Sequence, residues 1–496
     1  MPAWSRRAFL KAAGLGAAAL ATRGASALGA EGIRRPNIVY ILADDLGYGD
    51  VSCLNPESKI ATPNMDRLAK AGVIFSDAHS NSAVCTPTRY GILTGRYCWR
   101  SRLQSGVLNG YSGSLIDAER LTVPKLLKQH GYHSACIGKW HLGMTLPDAK
   151  HLADSIQNGP TTRGFDYYYG IAASLDMPPF AFIENDRFTQ APTVTKKWVR
   201  SGPAAPDFEA VDVLPTLTRQ AVEYITKTQT PFFLYLALNS PHTPLVPSAE
   251  WQGKSTLGKY GDFVMETDWA LGQVMNALDK AGIADNTLLI FTSDNGCAPY
   301  IGVKELEVKG HFPSANFRGY KSDIWDGGHR IPFVVRWPGV AKPGSVCGQL
   351  TCLTDLMATC ADILGANLPD NAGEDSVSIL PLLKGQDRPV REAVVHHSIN
   401  GMFALRQGST KLIFGAGSGG WSKPGDDKSP VQLYDMTQDV GERRNLQAAD
   451  KDDVARLTKL MEKYIADGRS TTGQPQKNDT TVKLWKKGSP AAETSE

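Results

Sequence analysis

Four short apolar runs, each breaking without a spacer into chemically reactive residues, constrain this chain most. "NIVYILADD" is apolar from Ile38 to Ala43 and then turns into Asp44 and Asp45. "PFFLYLALNSPHTP" starts at Pro231 and ends in a turn carrying His242, and "NTLLIFTSDNG" ends in Asp294-Asn295-Gly296. The shorter "HSACIGKWHLG" leads into Lys139 and His141. Runs of this length without polar alternation read as strands buried on both faces, and open α/β sheets keep their sites at the carboxyl ends of such strands. Segments with helical periodicity separate them, for example "TLTRQAVEYITKT" and "DFVMETDWALGQVMNALDKAG". "TPNMDRLAKAG" reads as a helix capped by Thr62 with Pro63 in its first turn. The expected architecture is an α/β sandwich around a mixed sheet.

The first 27 residues are set apart. Arg6-Arg7 in "SRRAFLK", an Ala/Gly-rich apolar run and Ala25-Ser26-Ala27 form an export signal of the twin-arginine type. The run is short and interrupted by Arg23, which argues against a permanent membrane span. This leader holds four Lys or Arg and no acidic residue, so the rest of the chain carries 49 basic against 50 acidic residues. No block of basic residues with interleaved aromatics remains, which excludes nucleic acid as a partner. The expected location is the periplasm or the exterior. Eight cysteines without a CxxC pair indicate neither a zinc module nor a disulfide scaffold.

About 470 further residues favour a large domain with a smaller appendage. A Gly-, Pro- and acid-rich stretch at 364–393 marks the join, giving a catalytic domain over 33–380 and a small α+β domain over 381–470. The latter holds the strand-like "AVVHHSI", "GMFALRQG", "TKLIFGA" and "VQLYDM" and a closing helix in "DDVARLTKLMEKYIADG". The polar tail over 471–496 is expected to be disordered.

Asp44, Asp45, Asp294 and Asn295 offer three carboxylates and an amide oxygen, an all-oxygen donor set that suits Ca²⁺ or Mg²⁺ rather than zinc. Arg89, Lys139, His141, His242 and Lys321 lie in Gly-rich or turn-like segments beside the strand ends. Gathered opposite a metal, they would receive a tetrahedral oxyanion.

The run Cys85-Thr86-Pro87-Thr88-Arg89, followed by "YGILTGR", resembles the signature of the type I sulfatases, in which C-[ST/A]-P-[ST]-R directs oxidation of the cysteine to formylglycine. The order "LADDLGYGD", signature, "GKWHLG", "NSPHTP", "FTSDNG" and "RGYKSDIWDGGHR" is also similar to theirs. The likeness extends across nearly the whole exported chain, towards arylsulfatase A and the N-acetylgalactosamine sulfatases. It implies an alkaline-phosphatase-like sandwich with a large mixed sheet and a smaller C-terminal antiparallel sheet. It further implies that Cys85, as a formylglycine, is the nucleophile and completes a metal site of Asp44, Asp45, Asp294 and Asn295, usually around calcium. Arg89 and Lys139 would stabilise its gem-diol, and His141 would act on its hydroxyl. His242 and Lys321 would hold the sulfate and assist the leaving alcohol, Asp294 would take the nucleophile's proton, and Ser174 would touch the sulfate. In the lysine motif a Gly-Gly-Lys form is commoner than the Gly-Tyr-Lys found here.

The chemistry requires two hydroxyls on one carbon: one attacks sulfur to give a sulfate hemiester, and the other re-forms the aldehyde and expels sulfate. The expected substrate is an O-sulfated sugar or a small aryl sulfate, with leaving-group choice in the 96–113 segment carrying Trp99, Arg100 and Arg102, the 174–210 insertion, the 307–317 loop "EVKGHFPSANF" and His396-His397. Maturation would need a formylglycine-generating enzyme and the twin-arginine machinery. The competing readings are a phosphodiesterase or phosphonate hydrolase of the same superfamily, and a non-catalytic sulfated-glycan binder in which Cys85 stays a thiol.

Overall fold

A computed structural model describes residues 35–486 apart from 230 and 424. The export signal therefore lies outside the described residues. A ten-stranded mixed sheet runs through the molecule. Its strands in chain order are β1 (Asn37–Ala43), β2 (Val73–Phe75), β3 (His133–Lys139), β4 (Tyr167–Ile171), β5 (Ile183–Glu184), β6 (Arg187–Phe188), β7 (Phe232–Ala237), β8 (Thr287–Ser293), β9 (Phe333–Arg336) and β10 (Ser345–Cys347). Their order across the sheet is β10-β2-β9-β8-β1-β7-β3-β4-β5-β6.

The four apolar runs are β1, β3, β7 and β8, and they lie side by side and parallel in the order β8-β1-β7-β3. Their carboxyl ends therefore share one edge. The ladder continues one residue further, where Asp44 N–H donates to Ser240 O at 2.9 Å and Asp294 N–H to Ala43 O at 3.1 Å.

Alternation along β1 divides the core, because successive side chains of a strand point to opposite faces. Ile38, Tyr40 and Leu42 pack with helices α2 (Cys85–Thr94), α3 (Val123–Gln129) and α6 (Leu356–Leu364). Val39, Ile41 and Ala43 pack with α1 (Pro63–Ala71), α4 (Val213–Lys227) and the long α5 (Lys259–Lys280). Thr62 precedes α1 but does not cap it by side chain; its hydroxyl accepts from Ser52 N–H at 3.0 Å instead.

The second sheet is a four-stranded antiparallel meander of β11 (Val394–His397), β12 (Phe403–Gln407), β13 (Thr410–Ile413) and β14 (Gln432–Asp435). Helix α7 (Lys451–Ala466) closes it through Leu457, Met461 and Tyr464.

Over 471–486 the tail departs from expectation, and 487–496 lie outside the described residues. Residues 471–486 are packed: Asp479 pairs with Arg96 at 3.0 Å, Asn478 accepts from Arg100 at 3.1 Å, and Leu484 is buried in the second core. Polar composition misleads here because the partners are buried arginines nearly 400 positions earlier. None of the eight cysteines is paired.

Candidate active site

Each strand end delivers its residue to the shared edge. Asp44 and Asp45 follow β1 directly, and Asp45 has φ 65°. Lys139 is the last residue of β3, and His141, two residues on, has φ 55°. Left-handed backbone at two non-glycine residues is a strain that functional sites hold in place through surrounding contacts. Here Asp45 N–H donates to Asp294 Oδ1 at 3.2 Å, and His141 N–H donates to Ala172 O at 3.0 Å. Cys85 opens α2, and Arg89 stands one turn later on the same helix.

The charges interlock. Lys139 Nζ lies 2.9 and 2.7 Å from the two oxygens of Asp44. Arg89 donates twice to Asp294 Oδ2, at 3.0 and 2.7 Å, and its Nη2 stands 3.5 Å from Asp44. Lys321 Nζ lies 2.7 Å from Asp45 Oδ1, Asn295 donates to the same oxygen at 2.7 Å, and His242 Nε2 is 3.6 Å from Asp45 Oδ2. All of these side chains are buried. Burial pushes the Asp44 carboxyl up, but Lys139, His242 and Arg89 outweigh it and hold it well below the usual carboxylate range. Asp294 goes the other way, raised to about 6 by burial and then by the Asp44 carboxylate. Burial also raises the Cys85 thiol, so the unmodified side chain is not a ready thiolate.

Asp44, Asp45 and His242 bring one ligand atom each within 4.8 Å of one another, a buried Asp–His cluster able to hold a metal ion. Asn295 Oδ1 is buried without a partner beside it. An orphaned amide oxygen next to three carboxylates fits a hard cation.

The two histidines are held in defined tautomers. His141 Nε2–H donates to Leu108 O at 2.8 Å, leaving Nδ1 buried and unpartnered. Burial and Lys139 hold the ring neutral. His242 Nδ1–H donates to Thr243 O at 2.6 Å, which leaves Nε2 for the site.

Cys85, Ser174, His242 and Lys321 line a cavity of about 510 Å³. A larger cavity of about 790 Å³, walled by Glu307, Phe312, Arg318 and Arg443, touches none of the strand-end residues. Ser174 Oγ is buried and unpartnered in the smaller one. Lys321 is brought in by its own N–H donating to Cys297 O at 2.8 Å, and Tyr320 turns away to Glu307, so the tyrosine in this motif does not displace the lysine.

The expected leaving-group residues are elsewhere. Trp99 is fully buried, stacked on Tyr97 and edge-on to Phe403 in the second core, with the Arg100 guanidinium 4.2 Å above it. Arg100 is committed to Asp375 at 2.8 Å. Arg102 is exposed, but it spends its guanidinium on the carbonyls of Gly113 and Ser114, both at 3.0 Å. His396 stacks on His329 at 3.9 Å, and His397 is buried beside it. None of the five lines the cavity. Of the expected loops, 96–113 reaches the cavity through Val107 and 174–210 through Asp176, Val199 and Arg200, the 307–317 loop lines the larger cavity instead, and Tyr300 and Trp421, which the sequence did not single out, complete the wall. A polar or aromatic residue in a long loop carries no local signal of which way it faces.

The Sulfatase family profile matches residues 36–366. The chain is 34% identical over 479 residues to an N-acetylgalactosamine-6-O-sulfatase of Bacteroides thetaiotaomicron, covering 86% of this chain and 93% of that protein. Human arylsulfatase A is 32% identical over 83% of each chain. A solved structure described under the metabolism of multiple glycosaminoglycans by Bacteroides thetaiotaomicron superposes with a TM-score of 0.79 at 33% identity, over 86% of this chain and 99% of that one.

Proposed function

The chain belongs to the sulfatase family and hydrolyses sulfate monoesters, and from that premise we propose that its substrate is an O-sulfate ester of a carbohydrate, cleaved with a formylglycine made from Cys85. The observation that carries this reading is the meeting of Cys85, Ser174, His242 and Lys321 at one cavity whose cations are held by buried strand-end carboxylates. The names of the N-acetylgalactosamine-6-O-sulfatase and of the glycosaminoglycan-related structure support a sugar as the alcohol.

Asp44, Asp45, Asp294 and Asn295, with an oxygen of the modified Cys85, would hold one Ca²⁺, with Mg²⁺ as the substitute. Such a cation would supply positive charge to the nucleophile and to a sulfate oxygen. The aldehyde hydrate would supply two hydroxyls on one carbon, one to attack sulfur and one to release sulfate.

This chain's own residues do the remaining work. Lys139 and Arg89 hold positive charge against Asp44 and Asp294 beside Cys85 and stabilise its hydroxyls. Asp294 takes a proton from the attacking hydroxyl. His141 presents the free Nδ1 lone pair to the second hydroxyl. His242 is neutral when empty, lowered to about 4 by burial and Lys321. A sulfate placed beside it favours a proton on Nε2, from which the leaving oxygen is protonated together with Lys321. Ser174 Oγ donates to a sulfate oxygen.

The twin-arginine leader supports export to the periplasm or beyond. Desulfation of 6-sulfated N-acetylgalactosamine by enzyme whose 79–89 peptide mass shows formylglycine tests the proposal. Full activity with an unmodified Cys85 peptide, or turnover of aryl sulfates and phosphodiesters with no sugar sulfate cleaved, would refute it.

A further inference from the structure

The cavity contains groups that sulfate chemistry does not need. Nine large hydrophobic side chains are exposed among the described residues, and three of them, Val199, Tyr300 and Trp421, crowd the mouth of this one cavity. The Tyr300 and Trp421 rings stand 5.7 Å apart, centroid to centroid, and each ring is about half exposed. A tetrahedral anion gains nothing from such a wall. The carbon skeleton of an alcohol does.

Asp176 is the second anomaly. It is nine-tenths buried and lines the same cavity. Its Oδ2 stands 3.6 Å from the exposed Arg200, while its Oδ1 is buried with no partner. An orphaned acceptor costs free energy unless a ligand satisfies it. A carboxylate facing a cavity for an anion would repel the sulfate, so its partner must be a donor elsewhere on the substrate, namely a hydroxyl or an amide N–H.

The aromatic wall is also fixed relative to the chemistry. Trp421 N–H donates to Ser322 Oγ at 2.9 Å, and Ser422 donates through N–H at 3.1 Å and through its hydroxyl at 2.5 Å to Asp323. Both anchors directly follow Lys321. The loop between β13 and β14 of the small sheet is thus bolted beside the lysine that serves the leaving oxygen.

We propose that Asp176, Tyr300 and Trp421 form the leaving-group subsite, in which Asp176 accepts a hydrogen bond from a hydroxyl or amide of the sulfated sugar while the two rings cover its apolar face. This rests on the sulfated-sugar reading above. It further assigns the preference to alcohols that carry a second donor, against aryl sulfates that have none.

The test measures kcat/KM for the formylglycine-containing enzyme, Asp176→Asn and Trp421→Ala on a sulfated N-acetylhexosamine, on its monodeoxy analogues, including the 2-deoxy sugar without the acetamido group, and on 4-nitrophenyl sulfate, with a thermal melt of each variant. Asp176→Asn should lower the sugar value ~30-fold and reduce the sugar-to-aryl ratio by about tenfold or more. One analogue, the one lacking the donor, should be cleaved by wild type and Asp176→Asn to within about twofold, because the same bond is deleted from either side. Trp421→Ala should raise the sugar KM about tenfold. Equal losses on sugar and aryl substrates, or penalties that multiply for every analogue, would overturn the subsite while leaving the sulfatase intact. Failure of the modified wild-type enzyme on every sugar sulfate would instead overturn the reading beneath it.

Discussion

Two buried charge clusters in this molecule have the same bookkeeping and opposite character. At the strand ends, Asp44, Asp45 and Asp294 face Arg89, Lys139 and Lys321. Behind the cysteine-bearing segment, Asp77, Asp326 and Glu442 face Arg330, Arg406 and Lys411, around His79, His329 and His396. In the second cluster the ions pair in a chain: Arg406 with Asp77 at 2.8 Å, Arg330 with Asp326 at 3.0 Å, and Lys411 with Asp326 at 2.8 Å and Glu442 at 2.7 Å. His79 and His329 face each other through Nδ1 at 3.0 Å, and His396 reaches Ser80 O at 3.1 Å. This cluster ties residues 77–80 to 326–330 and to the small sheet, and none of its members lines the cavity of Cys85. Burial and charge count therefore do not distinguish a site from a joint. Access to a cavity does, together with lone pairs left over beside it.

The largest expected effect lies on the open side. Cys85→Ala should lower sulfatase activity by about 10³-fold or more while barely moving the melting temperature, since a small buried thiol is lost and no ion pair breaks. A residual rate near wild type would remove Cys85 from the chemistry and erase the contrast between the clusters.

Asp326→Asn attacks the closed cluster. It takes one of two carboxylate partners from each of the buried cations Lys411 and Arg330, and should cost about 3 kcal/mol of stability, read as a lower urea midpoint. Per folded molecule, kcat/KM on an aryl sulfate should change far less than the midpoint implies. A variant of unaltered stability and lost activity would make the joint part of the site.

Asp45→Asn comes next. It keeps the shape of a strand-end residue and removes one charge, so activity should fall ~100-fold and the divalent cation of the proposed site, counted by elemental analysis, should drop below one per chain. A retained cation with retained activity would remove Asp45 from the proposed donor set.

Both the sheet and the meeting of the charged strand-end residues at its edge were legible because their signals are local. An apolar run with a carboxylate at its end states strand, burial and position within nine residues, and the Cys85–Arg89 spacing is one helical turn. What failed depends on distant chain. Trp99 and Arg100 sit in a loop that looks available, yet they are consumed by Phe403, Asp375 and the tail. His396 looks like an edge ligand, but it completes a stack whose other members come from positions 79 and 329. Asp176 lies in the expected 174–210 insertion, two residues from Ser174, whereas nothing near Trp421 in sequence says that it shares a cavity with residue 85.

The smallest effect separates the clusters by pH. His79 is fully buried and its imidazole is lowered to about 4, by burial first and the Arg330 guanidinium next, against the opposing pull of Asp77. A lowered base binds its proton less readily folded than unfolded. Its contribution is therefore complete above about 6.5 and is lost as pH falls from there through about 4, with a slope of at most about 1.4 kcal/mol per pH unit. Near pH 6 only a fraction of that is felt. His79→Gln removes the titrating group, so urea unfolding measured between pH 7 and 4.5 should show a shallower loss of stability than wild type, whatever the absolute stability of the variant. His79 touches no cavity residue, so the ratio of kcat/KM between the variant and wild type should stay constant across the pH range in which both are folded. An identical stability slope would show that His79 does not titrate in the joint, and a ratio that drifts with pH would show that the closed cluster communicates with the open one.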